Sequence, residues 1–350
     1  MQLRMTPGPF QRTKRSTIKI MLELFAVLSV VWIFAIVFHF VNIGAGNGIS
    51  VLLIGIVSIL VSCACDVVVG LIAKVAWKDM FKHVLNSYSY VTGIIFALCL
   101  PANTSLFTVI IGSLFGTALG KLVFGGFGHN VVNPAGIGRI MVGLFMISGL
   151  GKTIVPDGFA GGTITGNINW ETGLIPGKFL LKDLFLGQYV GAIGETCSAL
   201  LIACGIYLMI RNIINYRVVL AYVGTTFVVA LGLGLVFKVD YILTYALTHL
   251  FAGGLLFGGV FMVTDPVTAP TSPLGKVIFA IGAGMLTMLI RVSGNLPEGV
   301  VFSIVIMNLV TPLIDAAIKG KTTTKVWKSW AIAGAALVIA VLVNVGFALL

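Results

Sequence analysis

FALCLPANTSL, at residues 96–106, is an apolar run that ends at Pro101 inside a turn of Asn, Thr and Ser. A second stretch, MVTDPVTAP at residues 262–270, has the same arrangement around Pro266. Proline cannot continue the backbone hydrogen bonding of a helix, so each stretch predicts a membrane-depth helix that is broken within its span.

The similarity extends beyond these two turns, because residues 96–148 can be matched with residues 261–312. GHNVVNPAG at residues 128–136 resembles SGNLPEG at residues 293–299. We interpret the match as an internal repeat. The alternative is chance similarity between apolar, glycine-rich segments.

The composition predicts that most of the surface faces lipid. Of the 350 residues, 58% are hydrophobic and 9% are charged, and the mean hydropathy is +1.10, which leaves too little polar surface for a soluble domain. The net charge of +11 would suit nucleic acid, but the basic residues lie in short segments between apolar stretches. Membrane topology explains them better, and we expect no nucleic-acid partner.

The fold class predicted is all-α, a polytopic membrane protein with 10–11 transmembrane helices, an inverted repeat and broken helices. A span needs about 20 mostly apolar residues. The distance along the chain from one copy of the repeat to the other covers five spans. Because five is an odd number, the two copies would lie upside down relative to each other in the membrane. The predicted spans are 20–41, 50–73, 88–101, 104–124, 134–150, 184–210, 217–236, 242–263, 277–291, 299–316 and 328–349.

The distribution of Lys and Arg predicts the orientation. With a cytoplasmic N-terminus, seventeen of the 22 basic residues lie inside and five outside. We therefore expect a basic cytoplasmic tail at residues 1–18, a membrane domain at 19–316 and an extracytoplasmic loop at 151–182. Residues 317–350 are predicted to form a cytoplasmic loop and an extra C-terminal helix.

Several polar residues in apolar surroundings are candidates for function. Asp265 and Glu298 lie at the breaks of the second repeat and Glu195 lies deep in a predicted span, so we predict that they line an ion pathway. Asn130 and Asn133 could hold a polar ligand where glycines allow close backbone approach. The alternatives are solvated helix-end acids and ordinary turn chemistry. The histidines and cysteines share no metal-ligand spacing, and we expect no metal site.

Five motifs follow one another along the chain: KLVFGGFGHNVVNPA at 121–135, GETCSAL at 194–200, TDPVTAP at 264–270, PEGVVFSI at 297–304 and TPLID at 311–315. In this order they resemble one family of membrane proteins. That family comprises the D subunit of the Rnf ferredoxin:NAD⁺ oxidoreductase complex and its relative, the B subunit of the sodium-pumping NADH:quinone reductase. The opening TPGPF at residues 6–10 favours the Rnf branch.

The resemblance changes the interpretation of the loop DGFAGGTITG at residues 157–166, which by composition is only a turn-rich loop. The family carries FMN joined through its phosphate to a threonine hydroxyl in a motif similar to D-x-x-[ST]-G-A-[TS]. Asp157, Gly161 and Thr163 match this motif, whereas Ala160 and Gly162 depart from it. The resemblance thus implies covalent FMN on Thr163, with Thr165 as the alternative acceptor, and a second, non-covalent riboflavin.

The resemblance also implies a bacterial inner-membrane location and a place in an ion-translocating complex that moves Na⁺ or H⁺. The partners implied are the A, B, C, E and G subunits of the Rnf complex, a flavin transferase for maturation, and lipid. The chain would be an electron carrier within a translocase, with no catalytic residues of its own. The alternatives are the B subunit of the sodium pump, a solute transporter or channel with inverted repeats, and a scaffold that has lost its flavin.

Overall fold

The computed structural model describes residues 15–146, 181–187, 191–293, 299–318 and 326–349. Every regular element in these ranges is helical, which confirms the all-α class. The helices are α1 (Thr17–Asn42), α2 (Ala45–Ile72), α3 (Trp77–Ser87), α4 (Ser89–Leu98), α5 (Leu106–Ala118), α6 (Pro134–Phe145), α7 (Leu181–Leu186), α8 (Ser198–Ile210), α9 (Tyr216–Val236), α10 (Ile242–Phe251), α11 (Leu255–Phe257), α12 (Pro273–Ser293), α13 (Gly299–Ile318) and α14 (Val326–Leu349). Short 3₁₀ turns lie at Leu122–Phe124 and Ile193–Glu195, and α11 continues into a π-helical turn at Gly258–Met262.

The helices confirm a polytopic membrane protein. Within the described ranges, seven helices are long and apolar enough to cross a membrane, and a bent pair made of α10 and α11 with its π turn would be an eighth. Three further apolar helices, α4, α6 and α8, have only 10 to 13 residues. At about 1.5 Å per residue each covers roughly 15–20 Å, less than the hydrocarbon core. The predicted 88–101 span is therefore shorter than expected.

The prediction of one continuous span at residues 184–210 is wrong. Helix α7 ends at Leu186 and α8 begins at Ser198, and among the described residues from 191 to 197 the only regular element is the 3₁₀ turn at Ile193–Glu195. Gly187 has φ +94°, and a Cβ added there would lie 2.5 Å from the Thr196 carbonyl oxygen. Only glycine fits such a reversal, so the helix breaks there. Glu195 thus lies in a break between helices and not inside a span.

The predicted span at 242–263 is bent by 60° between α10 and the α11 segment. Ala252 is extended, and Gly253 and Gly254 follow with φ of +71° and +67°. Two consecutive residues in the left-handed region end the helix without steric cost only because both are glycine.

Two halves of the chain, each made of one matched segment and the helices just before it, share the same order of packing. In the first half α2 packs against α5, and α5 packs against α6; in the second, α9 packs against α12, and α12 against α13. Helix α6 then meets α13, joining the two halves. This common order supports the internal repeat. Helix α14 lies beyond the second half and packs against α9 and α12, where Asn344 donates its amide to the Met285 carbonyl at 3.2 Å.

Candidate functional site at the junction of the broken helices

The helix break after α4 in the first half and the break after the π turn in the second half are in direct contact. Asn133 forms the N-cap of α6 by accepting a hydrogen bond from Gly136 N–H at 3.3 Å, and it donates to the Met262 carbonyl at 3.3 Å. The Cys99 thiol lies 3.7 Å from the Met262 sulfur. Because Met262 is the last residue of the π turn, both contacts fix the second break against the first.

Asp265 organises the turn that follows. Its carboxylate accepts hydrogen bonds from Val267 N–H at 3.1 Å and from the Thr268 hydroxyl at 3.2 Å, and Asn130 is a further side-chain partner. The Thr311 hydroxyl of α13 donates to the Thr268 carbonyl at 2.9 Å. Residues of both repeats therefore surround a partly buried acid.

A buried charge pair lies beside this turn. The Asp66 carboxylate accepts from the hydroxyls of Ser87 at 2.7 Å and Ser89 at 2.9 Å. The Lys121 ammonium donates to the same Ser89 hydroxyl at 2.9 Å and to the Ser87 carbonyl. Lys121 is also close enough to Asp265 to interact with it electrostatically. One buried lysine thus interacts electrostatically with two acids.

Two buried arginines donate hydrogen bonds to backbone carbonyls that have no helical partner because a helix ends there. Arg139 donates to the Cys99 carbonyl at 3.0 Å, just after α4. Arg291 donates to the carbonyls of His249 at 2.7 Å, Ala252 at 3.0 Å and Gly253 at 2.7 Å, at the end of α10. A helix C-terminus carries partial negative charge and unpaired carbonyls, so a buried cation stabilises each break.

Glu195 lies on a small cavity that reaches the same junction. Its Oε1 atom accepts from Ala192 N–H at 2.5 Å, and its side chain is buried. The cavity has a volume of about 30 Å³ and is also lined by Cys99, Gly253, Gly254 and Met262. One water needs roughly 10–15 Å³, whereas a cofactor pocket has roughly 300–1,000 Å³. The cavity fits water or a small ion and does not fit a flavin.

The structure brings together three of the predicted site residues, Asn130, Asn133 and Asp265, and places Glu195 on the neighbouring cavity. Both asparagines have protein partners, which favours the turn interpretation over a free ligand site. Glu298, Asp157, Gly161 and Thr163 lie outside the described residues. In the described ranges no cluster of His, Cys, Asp and Glu could hold a metal ion.

Sequence reasoning missed the structural roles of Lys121, Arg139 and Arg291, which it counted as loop cations. Their side chains are 2%, 9% and 2% exposed. A signal was present, because each lies at the edge of, or inside, an apolar stretch. A cation at membrane depth needs a partner, which is here a buried acid or a set of helix-end carbonyls.

Known proteins identify the family to which these motifs belong. The NQR2, RnfD, RnfE family matches residues 4–324. The chain belongs to this family. The resemblance inferred from the motifs is thereby confirmed, and only α14 lies wholly beyond the matched segment.

Individual relatives include both branches of the family. The D subunit of the proton-translocating ferredoxin:NAD(+) oxidoreductase complex of Clostridium ljungdahlii is 34% identical over 287 residues, which cover 71% of this chain and 80% of that protein. The D subunit of the Na(+)-translocating ferredoxin:NAD(+) oxidoreductase complex of Acetobacterium woodii is 33% identical, over 71% of this chain and 79% of that protein. The B subunit of the Na(+)-translocating NADH-quinone reductase of Azotobacter vinelandii is 36% identical, over 72% of this chain and 64% of its own length.

Proposed function

We propose that the chain is the flavin-carrying membrane subunit of an ion-translocating electron transport complex that works between ferredoxin and NAD in a bacterial inner membrane. Its partners would be the A, B, C, E and G subunits of an Rnf complex. The observation that carries the proposal is family membership over residues 4–324, together with relatives named as the D subunits of ferredoxin:NAD(+) oxidoreductase complexes. FMN would supply the redox chemistry, and the protein would position it.

The junction of broken helices supports the ion-translocating half of the proposal. Irregular backbone at membrane depth is tolerated where it is buried in protein or lines a cavity. Here Glu195 lies at such a break and lines a cavity large enough for water or an ion, and the Asp265 N–H donates to the carbonyl of Met262, which lines the same cavity. The names of the relatives leave the coupling ion open, because a proton-translocating and a sodium-translocating protein are 34% and 33% identical to this chain.

Thr163 is the proposed attachment point of FMN, and Thr163→Val tests it. Valine has nearly the same shape but removes the oxygen that a phosphoester requires. The purified variant should insert into the membrane yet lose its fluorescent flavin band in a denaturing gel, whereas the neighbouring control Thr165→Val should keep the band.

Mass spectrometry of the peptide containing residues 157–166 gives the second readout. FMN on Thr165 would move the acceptor by two residues and leave the proposed function intact. A chain without any flavin, isolated from cells that contain the transferase, would refute the flavin-carrying function.

Asp265 is the proposed coupling acid, and Asp315 offers a matched control. Both carboxylates accept hydrogen bonds from a backbone N–H and a threonine hydroxyl, but the bonds from Thr271 to Asp315 are exposed, whereas those to Asp265 are partly buried. Asp265→Asn should leave the complex assembled while ion uptake into vesicles falls, because an acid buried at membrane depth marks an ion pathway. Asp315→Asn should have little effect. Normal pumping by Asp265→Asn would make Asp265 a structural turn residue.

A solute transporter or channel is the second candidate, because broken helices in two repeats are also used by such proteins. The two candidates differ in electron transfer. A transporter would carry no covalent flavin and would move solute without ferredoxin or NADH, so the fluorescence measurement distinguishes them.

A further inference from the structure

Helix α3 (Trp77–Ser87) cannot cross the membrane. Its 11 residues cover about 16 Å, roughly half of the hydrocarbon thickness. It also carries Lys78, Asp79 and Lys82 on little more than one turn. The helix therefore requires an environment other than a transmembrane path.

One side of α3 is seated on α2. Met80 is 5% exposed, and both Met80 and His83 lie against Gly70 of α2. A Cβ added to Gly70 would lie 2.7 Å from the Met80 sulfur. The absence of a side chain at Gly70 is thus what lets α3 approach α2 closely.

A second side of α3 is apolar and uncovered. Trp77 and Phe81 are separated by one helical turn, and their side chains are 76% and 79% exposed. Leu85, one turn further, is half-buried and continues the same stripe. Because α3 is not a span, the lipid that surrounds the long helices at mid-depth does not explain this stripe.

Lysines follow the aromatic stripe at its edge. Lys78 and Lys82 each come one residue after an exposed aromatic ring, so they lie about 100° further around the helix. Both are exposed, and so is Lys74, three residues before the first residue of the helix. An apolar stripe bordered by lysines is the pattern of helices that lie in the membrane interface, with aromatic rings among acyl chains and ammonium groups at the headgroups.

The position of α3 in the bundle agrees with this pattern. Only Ile43 and Gly44 separate α1 from α2, so the end of α2 returns to the end of the bundle where α1 begins. There the Arg15 guanidinium bonds to the Arg211 carbonyl, and Glu23 pairs with Arg211 at 2.5 Å. Helix α3 thus belongs to the basic end of the molecule.

The far end of α3 is fixed to the protein interior. The Ser87 hydroxyl donates to Asp66, and the Ser87 carbonyl accepts from Lys121, which also lies near Asp265. Both ends of the helix are therefore held, one by Gly70 and Met80 and the other by the buried charge pair. The aromatic stripe and the lysines are presented in one defined orientation.

We propose that α3 is an interfacial helix that binds anionic phospholipid headgroups through Lys78 and Lys82, with Trp77 and Phe81 inserted among the acyl chains. The opposite charges of the lysines and of the headgroup phosphates, together with the uncovered aromatic stripe, select a lipid surface as the occupant. The alternative occupant is a partner protein with an acidic surface. Such a protein would pair with the lysines, but it would cover the aromatic rings and keep them from contact with lipid.

The test measures contact between Trp77 and lipid in the full-length chain reconstituted into vesicles. One vesicle set contains phosphatidylcholine doped with doxyl-labelled phosphatidylcholine, and the other contains doxyl-labelled phosphatidylglycerol at the same density. Subtracting the signal of Trp77→Phe isolates Trp77 from the other four tryptophans. We expect phosphatidylglycerol to quench Trp77 more strongly, with a preference of up to about fivefold for each contributing lysine.

The variant Lys78→Gln/Lys82→Gln should lose this preference and still show quenching by both lipids. Lys238→Gln is the matched control, because Lys238 is exposed just after α9, at the opposite end of that helix from Arg217. It should keep the full preference. Equal quenching by the two lipids in the unaltered chain, or an unchanged preference in the double variant, would overturn the proposal. Absence of lipid quenching at Trp77 would indicate a stripe that faces water or protein and would also overturn it.

Discussion

Arg291 offers the sharpest test of how the broken helices are stabilised. Its guanidinium is 2% exposed and donates to the carbonyls of His249, Ala252 and Gly253, where α10 ends. Arg291→Met keeps most of the side-chain volume and removes all three hydrogen bonds. The carbonyls of the break would then be left in an apolar environment.

The expected magnitude follows from the number of bonds lost. Polar interactions between membrane helices are worth about 0.6 kcal/mol on average and up to about 1.7 kcal/mol. Three such bonds predict a loss of about 2 to 5 kcal/mol in the free energy of unfolding. Arg291→Lys keeps the charge but cannot reach all three carbonyls at once, so it should fall between the unaltered chain and Arg291→Met.

The assay is unfolding of the purified chain in mixed micelles by increasing mole fractions of sodium dodecyl sulfate, followed by circular dichroism. Arg217→Met is the control, because Arg217 is exposed and its guanidinium lies over the neighbouring Tyr216 ring. It should change the free energy by less than about 0.5 kcal/mol. If Arg291→Met unfolds within the same margin as the unaltered chain, the carbonyl-capping role of Arg291 is refuted.

Three further predictions test packing, electrostatics and topology. Gly116→Val should lower the free energy of unfolding by about 1 to 3 kcal/mol through overpacking, because a Cβ there would lie 2.8 Å from the Pro134 carbonyl oxygen. The control Gly224→Val places its side chain in open space and should change the free energy little in the same assay. Asp66→Asn and Lys121→Gln should each lower the free energy of unfolding, because each single change leaves a buried charge without its partner. The double variant should lose less free energy than the sum of the two single variants. A double-mutant cycle that is additive within about 0.5 kcal/mol would contradict this expectation. A cysteine placed at Asn215 should react with a membrane-impermeant maleimide only in opened cells and one placed at Lys178 in intact cells, and labelling of Asn215 in intact cells would reverse the topology.

The sequence by itself determined the class of the protein, its family, and the turns around Pro101 and Pro266 that separate helices, whereas the 60° bend at Ala252–Gly254 was not predicted. These features are local: apolar runs long enough for a membrane, prolines that cannot continue a helix, and motifs in a fixed order. The sequence also indicated Asn133 and Asp265 as polar groups next to a break, and a ligand or ion role for either of them stays a prediction. Thr163 remains a prediction from the family motif.

Only the tertiary structure decided what the buried charges do. Arg291 is 38 to 42 residues distant from the carbonyls it caps, and Lys121 is 32 residues from Ser89, so no local pattern links them. The break at Gly187 was also not predicted, because the close approach of the Thr196 carbonyl, nine residues further along the chain, depends on how the folded backbone packs. In lipid a cation must find its partner within the protein. The identity of that partner depends on the folded chain and cannot be predicted from any single segment of the sequence.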